Sequence, residues 1–337
     1  MNKIQDAKIK DKNILVRVDF NVPLKQLTTN DKRQTTIVDD SRIKAHLPTI
    51  KYLIAQGADK IILVSHLGRP QGRVVEELKM VFVRQRLYEL INHKDRIELL
   101  ENIRFDKREE NNDLSLAKEL ATMADVFVQD GFATCHRAHA STVGVTQFLP
   151  SYAGLLVQKE VEQLSKLLGE IKRPFIVIMG GAKIKDKASL INSFINEADW
   201  ILVGGKIANE LLKSRQYENQ PKVILPVDGV GGDFGQYLDI GPKSIQIFKD
   251  KLKTAKTIFW NGNLGKSEEE KYAQSTQNIA QAVVSNVQAV KIVSGGDTVG
   301  FLNKAGLAEK MTFVSSGGGA TLEFLSGKKL PGLEVLK

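Results

Sequence analysis

Three lysines follow two glycines at the end of an apolar run in residues 176–187, I-V-I-M-G-G-A-K-I-K-D-K. The β-branched stretch reads as a buried strand. Gly180 and Gly181 let the chain turn sharply and bring backbone N–H groups close to a ligand. Lys183 and Lys187 lie four apart, so they share a face if a helix starts there. A strand, a glycine turn and a lysine-rich helix start together suit a transferable phosphate. An ordinary βα turn with solvated lysines carries the same pattern, and short glycine motifs recur by chance. The rest of the chain has to decide.

The first half supplies a different chemistry. Arg17, Asp19 and Asn21 lie in V-R-V-D-F-N-V-P, Arg42 opens a helical pattern, and His66 and Arg69 lie in S-H-L-G-R-P. Arg104 follows in E-N-I-R-F, then His136, Arg137 and His139 in D-G-F-A-T-C-H-R-A-H-A-S. Solvated charges belong on outer helix faces, whereas these gather at the ends of strand patterns. They predict an anion pocket, because guanidinium forks match phosphate and carboxylate. In the second half glycine takes over: G-G-A-K (180–183), G-G-K (204–206), N-G-N-L-G (261–265), S-G-G-D-T (294–298) and S-S-G-G-G-A (315–320). Residues 295–298 would open a helix, leaving N–H donors and a positive dipole for phosphate. Asp297 reads either as an N-cap or, beside a polyphosphate, as a magnesium ligand. Five such turns at one sheet edge predict a nucleotide site.

Alternating strands and helices have to position these residues. Strands are predicted over 13–18, 60–65, 96–100 and 126–129, with helices over 42–56, 76–92 and 114–124. Ile43, Leu47, Ile50 and Ile54 share one helix face, and Gly57 is its stop. After Pro150 an amphipathic helix over 153–171 has no strand of its own. Further strands fall near 175–179, 200–203, 223–225, 257–260, 290–293 and 312–315. This is an α/β chain with parallel sheets, whose ligands sit beyond the carboxyl ends of the strands. At 337 residues it suggests two domains, parted near Pro150.

The net charge of +9 admits nucleic acid, membrane surface or small anions as partners. No basic stripe with interleaved aromatics supports nucleic acid. No apolar run reaches membrane-spanning length, and the first residues lack a signal core, so neither membrane nor secretion is expected. The single cysteine, Cys135, rules out an internal disulfide and favours the reducing cytoplasm. Its neighbour His136 leaves a thiol nucleophile as a lesser reading. Two lookalikes fail. G-N-L-G-K-S (262–267) would need glycine where Trp260 stands, and G-V-G-G-D-F-G (229–235) has Phe234 in place of the third glycine of a dinucleotide fingerprint.

Taken in order, V-R-V-D-F-N-V-P (16–23), D-D-S-R-I (39–43), S-H-L-G-R-P (65–70), L-L-E-N-I-R-F (99–105), H-R-A-H-A-S-T-V-G (136–144), G-G-A-K-I-K-D-K (180–187), L-D-I-G-P (238–242), G-G-D-T (295–298) and S-G-G-G-A-T-L-E-F-L-S-G-K-K-L-P-G (316–332) resemble the phosphoglycerate kinase family. The resemblance implies two doubly wound parallel-sheet, Rossmann-like domains joined by a helix and hinge, with the active site in the cleft between them. Residues 1–152, with 325–337 returning, would bind phosphoglycerate, 153–171 would link, and 172–324 would bind nucleotide. The implied reaction is reversible phosphoryl transfer between 1,3-bisphosphoglycerate and MgADP, giving 3-phosphoglycerate and MgATP, by a cytoplasmic monomer that closes on its substrates.

By position, Asp19, Asn21, Arg42, His66, Leu67, Gly68, Arg69, Arg104 and Arg137 correspond to the phosphoglycerate site. Arg42, Lys183 and Lys187 correspond to the groups at the transferring phosphoryl. Gly181, Lys187, Gly205, Glu268, Gly295, Gly296, Asp297 and Thr298 correspond to the nucleotide site, with Glu268 at the ribose and Asp297 at Mg2+. The chemistry suits this inventory. The acceptor carboxylate is already ionised at neutral pH, so positioning and charge neutralisation suffice without a general base.

The chain departs from the family pattern in several places. Residues are missing between Gly72 and Leu99 and between Lys213 and Leu238. Lys206 and Tyr237 stand where glycines are usual, N-G-P-M-G becomes N-G-N-L-G, V-F-E becomes K-S-E around Ser267, and D-A-F-G-T-A becomes D-G-F-A-T-C. Most of these departures lie on the nucleotide side. A trimmed, non-catalytic binding paralogue is the rival reading; loss of Arg42, Lys187 or Asp297 would favour it, and all three are present.

Overall fold

A computed structural model of the chain describes residues 1–29, 32–169, 171–182 and 184–337. In chain order the elements of the first half are β1 (Asn13–Arg17), β2 (Leu24–Thr29), β3 (Lys32–Ile37), α1 (Ser41–Ala55), β4 (Lys60–Val64), α2 (Val81–Leu90), β5 (Ile97–Leu99), α3 (Lys107–Glu110), α4 (Leu114–Ala121), β6 (Val126–Gln129), β7 (Ser151–Ala153) and α5 (Leu155–Ser165). The second half continues with β8 (Phe175–Met179), α6 (Ile184–Ile195), β9 (Trp200–Val203), α7 (Gly205–Ser214), β10 (Val223–Ile224), β11 (Gly229–Val230), β12 (Asp239–Ile240) and α8 (Pro242–Leu252). It ends with β13 (Thr257–Asn261), α9 (Gln274–Ser285), β14 (Val290–Ser294), α10 (Gly296–Lys304), β15 (Phe313–Val314), α11 (Gly319–Leu325) and α12 (Pro331–Glu334).

The chain divides into two compact units, Met1–Glu162 with Lys329–Lys337, and Gln163–Lys328. Unit 1 holds a parallel sheet of order β5-β4-β1-β6-β7. The strand period of two sorts its core. Ile14, Val16, Ile61 and Leu63 face α1 and α2 through Ile43, Ile50, Val83 and Leu87. Leu15, Ile62, Val64 and Phe127 face α4 through Leu116, Ala117 and Leu120. Strands covered on both faces are apolar through their middles, which is why residues 14–16 of β1 and 61–64 of β4 read as hydrophobic runs. The buried Arg17 at the end of β1 is the exception. Unit 2 repeats the plan with the order β10-β9-β8-β13-β14-β15. Ile176, Ile178, Ile258, Trp260 and Val293 pack against Phe248, Leu252, Ile279 and Leu302. On the other face, Phe194 of α6 lies 5.8 Å, ring to ring, from Phe259.

Several predicted elements differ. The predicted 76–92 helix is a 3-10 turn over Glu76–Leu78 and an α-helix only over Val81–Leu90. Between the two, the side chains of Glu101 and Asn102 take the Met80 N–H and the Leu78 carbonyl. The helix after Pro150 stops at Ser165, where Leu167 and Leu168 donate three residues back and tighten the last turn. That helix is also preceded by a strand, since β7 pairs with β6. Neither the β2–β3 hairpin nor the short β11–β12 pair was predicted.

The last residues belong to unit 1 through specific contacts. Asn2 N–H donates to the Leu336 carbonyl at 2.6 Å, and Gly332 N–H to the Cys135 carbonyl at 2.9 Å. Leu336 is fully buried. Replacing it with Ala should lower stability by about 2–4 kcal/mol, the usual cost of truncating a buried leucine. Urea unfolding followed by circular dichroism tests this, and a change below about 0.5 kcal/mol would mean that the tail is not part of the core of unit 1.

Candidate functional site

In unit 1 the carboxyl ends of β1, β4 and β6 converge on Asp19, which is 4% exposed. One Asp19 oxygen takes a hydrogen bond from Arg42, and the other takes the Asn21 N–H at 3.2 Å. Burial by itself would raise the Asp19 pKa, but the opposing charges, Arg42 foremost, bring it down to about 2. Beneath it the Asp19 N–H donates to His46 Nε2 at 2.9 Å, and His46 Nδ1 meets Asp130 at 2.7 Å. Asp130 also accepts from Thr49 at 2.8 Å and from Leu156 N–H at 3.0 Å, so the start of α5 is tied to the same carboxylate.

The S-H-L-G-R-P turn is fixed around this point. Asn21 accepts from Gly68 N–H at 2.9 Å, while Asn102 accepts from Leu67 N–H at 3.2 Å and donates to its carbonyl at 2.7 Å. Arg104, 6% exposed, donates to the Gly68 carbonyl at 2.9 Å and lies 3.4 Å from Glu110. Its pKa is lowered by burial first and then by the nearby charges of Arg17 and Arg137, so these guanidiniums share one neighbourhood. Arg17 is wholly buried, donating to the Val18 and Val64 carbonyls and, at 3.2 Å, to His66 Nδ1. Burial first, with Arg17, Arg104 and Arg42 adding to it, pushes the His66 pKa well below its usual value. Arg137 donates to His136 at 3.1 Å, and Arg69 is exposed, without a hydrogen bond or ion pair among the described residues. The H-R-A-H-A-S loop is anchored by the buried Glu109, which accepts from Ser141 N–H at 2.9 Å and Ser141 Oγ at 2.7 Å.

Cys135 is not a nucleophile in this setting. The thiol is buried, and burial raises its pKa far above the ordinary range, so thiolate is scarce at neutral pH.

In unit 2 the turns after β8, β9 and β13 are knotted by their backbones. Gly180 N–H donates to the Asn261 carbonyl at 2.9 Å, Gly181 to Asn263 at 2.7 Å and Gly205 to Leu264 at 2.7 Å. Side chains would not fit: a Cβ on Gly180 would lie 2.1 Å from the Asn263 oxygen, and one on Gly262 2.2 Å from the Gly180 oxygen. Lys187 is buried against this knot, its ammonium donating to the Gly180 carbonyl and, at 3.4 Å, to that of Asn261. Lys183 lies outside the described residues. Beside the knot α10 begins at Gly296, so its first N–H groups have no partner within the helix. The Thr298 hydroxyl is buried and accepts the Gly262 N–H at 2.9 Å, whereas Asp297 is exposed. Asp239 of L-D-I-G-P accepts from Ser275 and packs where a Cβ on Gly265 would sit, which fixes the 261–265 turn from behind. Among the described residues no group of three or more His, Cys, Asp or Glu could hold a metal on its own.

Sequence reasoning missed His46, Asp130, Asn102 and Glu109. Asn102 and Asp130 lay inside quoted motifs, E-N-I-R-F and D-G-F-A-T-C-H-R-A-H-A-S, without being singled out. Of the departures, Lys206 is exposed on the first turn of α7; Glu268, which keeps the family's glutamate, is exposed as well. The Tyr237 ring lies on Gly229, where a Cβ would come within 2.0 Å of it, and Asn263 donates to Ser267.

The glycine knot makes a signed prediction. Gly180→Ala should cost more than about 2 kcal/mol, since backbone atoms cannot yield to the new methyl. Gly296→Ala, with nothing within 4 Å, should change stability by less than about 1 kcal/mol. Equal effects in thermal unfolding would contradict the packing described.

Comparison with known proteins accounts for both halves. The phosphoglycerate kinase family model matches residues 4–224 and 216–328. The phosphoglycerate kinase of Pelotomaculum thermopropionicum is 40% identical over 395 positions, covering 99% of this chain and 98% of its own. That of Dictyoglomus turgidum is 41% identical over 398 positions, with the same coverage. Because the first alignment runs over 395 positions and this chain has 337 residues, at least 58 positions have no residue here. The solved phosphoglycerate kinase of Coxiella burnetii superposes with a TM-score of 0.82 at 33% identity, covering 99% of this chain and 98% of that one. The Pyrococcus horikoshii enzyme gives 0.83 at 27% identity, covering 100% and 98%. With family match, relatives and fold agreeing over nearly its whole length, the chain belongs to the phosphoglycerate kinase family.

Proposed function

We propose that this chain transfers a phosphoryl group reversibly between 1,3-bisphosphoglycerate and MgADP, giving 3-phosphoglycerate and MgATP. The observation that supports this most is the set of guanidiniums gathered with Asp19 at the sheet edge of unit 1, with no base–nucleophile pair beside it among the described residues. A carboxylate acceptor needs no deprotonation, so positioning and charge neutralisation carry the chemistry. Asp19, Asn21, His66, Leu67, Gly68, Arg69, Arg104 and Arg137 bind the phosphoglycerate. Arg42, Lys183 and Lys187 act on the transferring group, with Lys187 exchanging its backbone carbonyls for a phosphoryl oxygen.

Gly181, Gly205, Glu268, Gly295, Gly296 and Thr298 hold the nucleotide, Thr298 through its backbone since its hydroxyl is engaged. Asp297 fits Mg2+: it is an exposed carboxylate at a helix start, and a hard cation arriving with a polyphosphate needs only one or two protein oxygens. The cation would neutralise charge on the phosphate oxygens. Since the ligands are assigned to different units, transfer calls for a closing step that excludes water. The reading is of a cytoplasmic monomer; among the described residues no helix is long and apolar enough to cross a membrane.

A coupled assay for ATP formation from 1,3-bisphosphoglycerate and MgADP tests the activity. Binding of both ligands without ATP formation would point instead to a non-catalytic paralogue. Arg42→Ala and Lys187→Ala should each lower kcat by about a thousandfold, as loss of cations does in phosphoryl transfer. A folded variant that loses less than about tenfold would remove that residue from the transfer step.

A further inference from the structure

We propose that Arg17 is a positioning residue that holds His66 as its neutral Nε2–H tautomer, so that the imidazole meets phosphoglycerate as a fixed, uncharged hydrogen-bond donor. This rests on unit 1 being the phosphoglycerate site. The argument itself needs only donor chemistry. A guanidinium has N–H donors and no acceptor. Arg17 Nη2 lies 3.2 Å from His66 Nδ1, with the two side chains 0% and 6% exposed. Such a contact exists only if Nδ1 presents a lone pair, which puts the single ring proton on Nε2. That nitrogen has no hydrogen-bond partner among the described residues and is not sealed in the interior, so its N–H is available to a ligand. Arg17 cannot swing away, because its other amino group is anchored on the Val18 and Val64 carbonyls, between β1 and β4.

The charged groups facing the ring agree. Arg17 from β1, Arg42 from α1 and Arg104 from the turn after β5 all disfavour an imidazolium. Among the described residues the group that favours it is Asp19, whose nearer oxygen is 3.9 Å away, beyond hydrogen-bonding distance. Burial also opposes the charged ring. A further cation among these arginines would be costly before the anion arrives, whereas a neutral N–H directs the ligand at little cost. The design also frees phosphoglycerate binding from histidine titration across physiological pH.

Long-range proton–nitrogen NMR on protein carrying 15N-histidine reads the ring directly, and His66→Gln assigns its signals among the five histidines. From pH 5.5 to 8, His66 should show an unprotonated Nδ1 and a protonated Nε2 without titrating. An imidazolium pattern in that range, or the reverse tautomer, would overturn the proposal. Arg17→Leu, if folded, should let the ring titrate or exchange tautomers, and a ring unchanged in that variant would remove Arg17 from the role. Kinetics supply a second readout. Glutamine carries an amide N–H near the Nε2 position, so His66→Gln should keep KM for 3-phosphoglycerate within about fivefold; His66→Asn, too short to reach, should raise it about 10- to 100-fold, the range for a hydrogen bond to a charged ligand. KM for ATP should not move in either variant, and equal losses in both would refute the donor assignment. The spectra need no substrate, so a protein that failed to bind phosphoglycerate would sink the functional reading while the tautomer was still decided.

Discussion

One buried carboxylate meets the cations at the centre of the unit 1 sheet edge. Asp19 sits at the end of the central strand with Arg42 on one oxygen, and the charges around it keep it ionised in spite of its burial. Without it, Arg42 would lose its carboxylate partner and Arg17 one of two, Glu109 being the other, while Arg104 would keep Glu110; buried charge without a partner is expensive. The carboxylate is in turn held from below by His46 and Asp130, and Asp130 also receives the first turn of α5. The geometry of the pocket therefore depends on a hydrogen-bonded column rooted in the core, not on exposed side chains alone.

Unit 2 solves a different problem with different material. Polyphosphate demands many donors at close range, and backbone N–H groups supply them only if the chain can approach without Cβ atoms. The turns after β8, β9 and β13 meet at distances that exclude any side chain, and Lys187 brings its one charge into that backbone. On the proposed function, arginine-rich and glycine-rich strand ends on similar sheets follow from what each ligand offers: a small anion read by forks, and a long phosphate chain read by backbone donors.

Much of this was legible in the sequence, for a physical reason. Strands buried on both faces leave unbroken β-branched runs, and the predicted 126–129, 175–179 and 200–203 match β6, β8 and β9. In parallel α/β sheets the residues just after such runs are where ligands generally bind, so the arginine and glycine segments stood out. The β2–β3 hairpin was not legible, because its threonines, lysines and glutamines lack an aliphatic run. His46 read as part of an ordinary helix; its partner Asp130 lies 84 residues away, a distance that no local pattern spans. Arg17 shared a motif with Asp19, yet its burial and its bond to His66 come only from β4 lying beside β1. The family match splits into two overlapping segments at 216–224, where α7 passes within a few residues into β10. The shorter chain nonetheless keeps both parallel sheets and the turns at their strand ends.

The central claim is that Asp19 organises the pocket, and not merely that the pocket is positive. The two ideas differ in sign. Asp19→Asn removes a negative charge, so a pocket acting only as a charge sink would bind 3-phosphoglycerate more tightly. Calorimetric titration of the intact protein with 3-phosphoglycerate, and separately with MgADP, distinguishes them. The account predicts 3-phosphoglycerate binding at least about tenfold weaker in the variant, about 1.4 kcal/mol, with MgADP unchanged. Unaltered or tighter binding of 3-phosphoglycerate would contradict it.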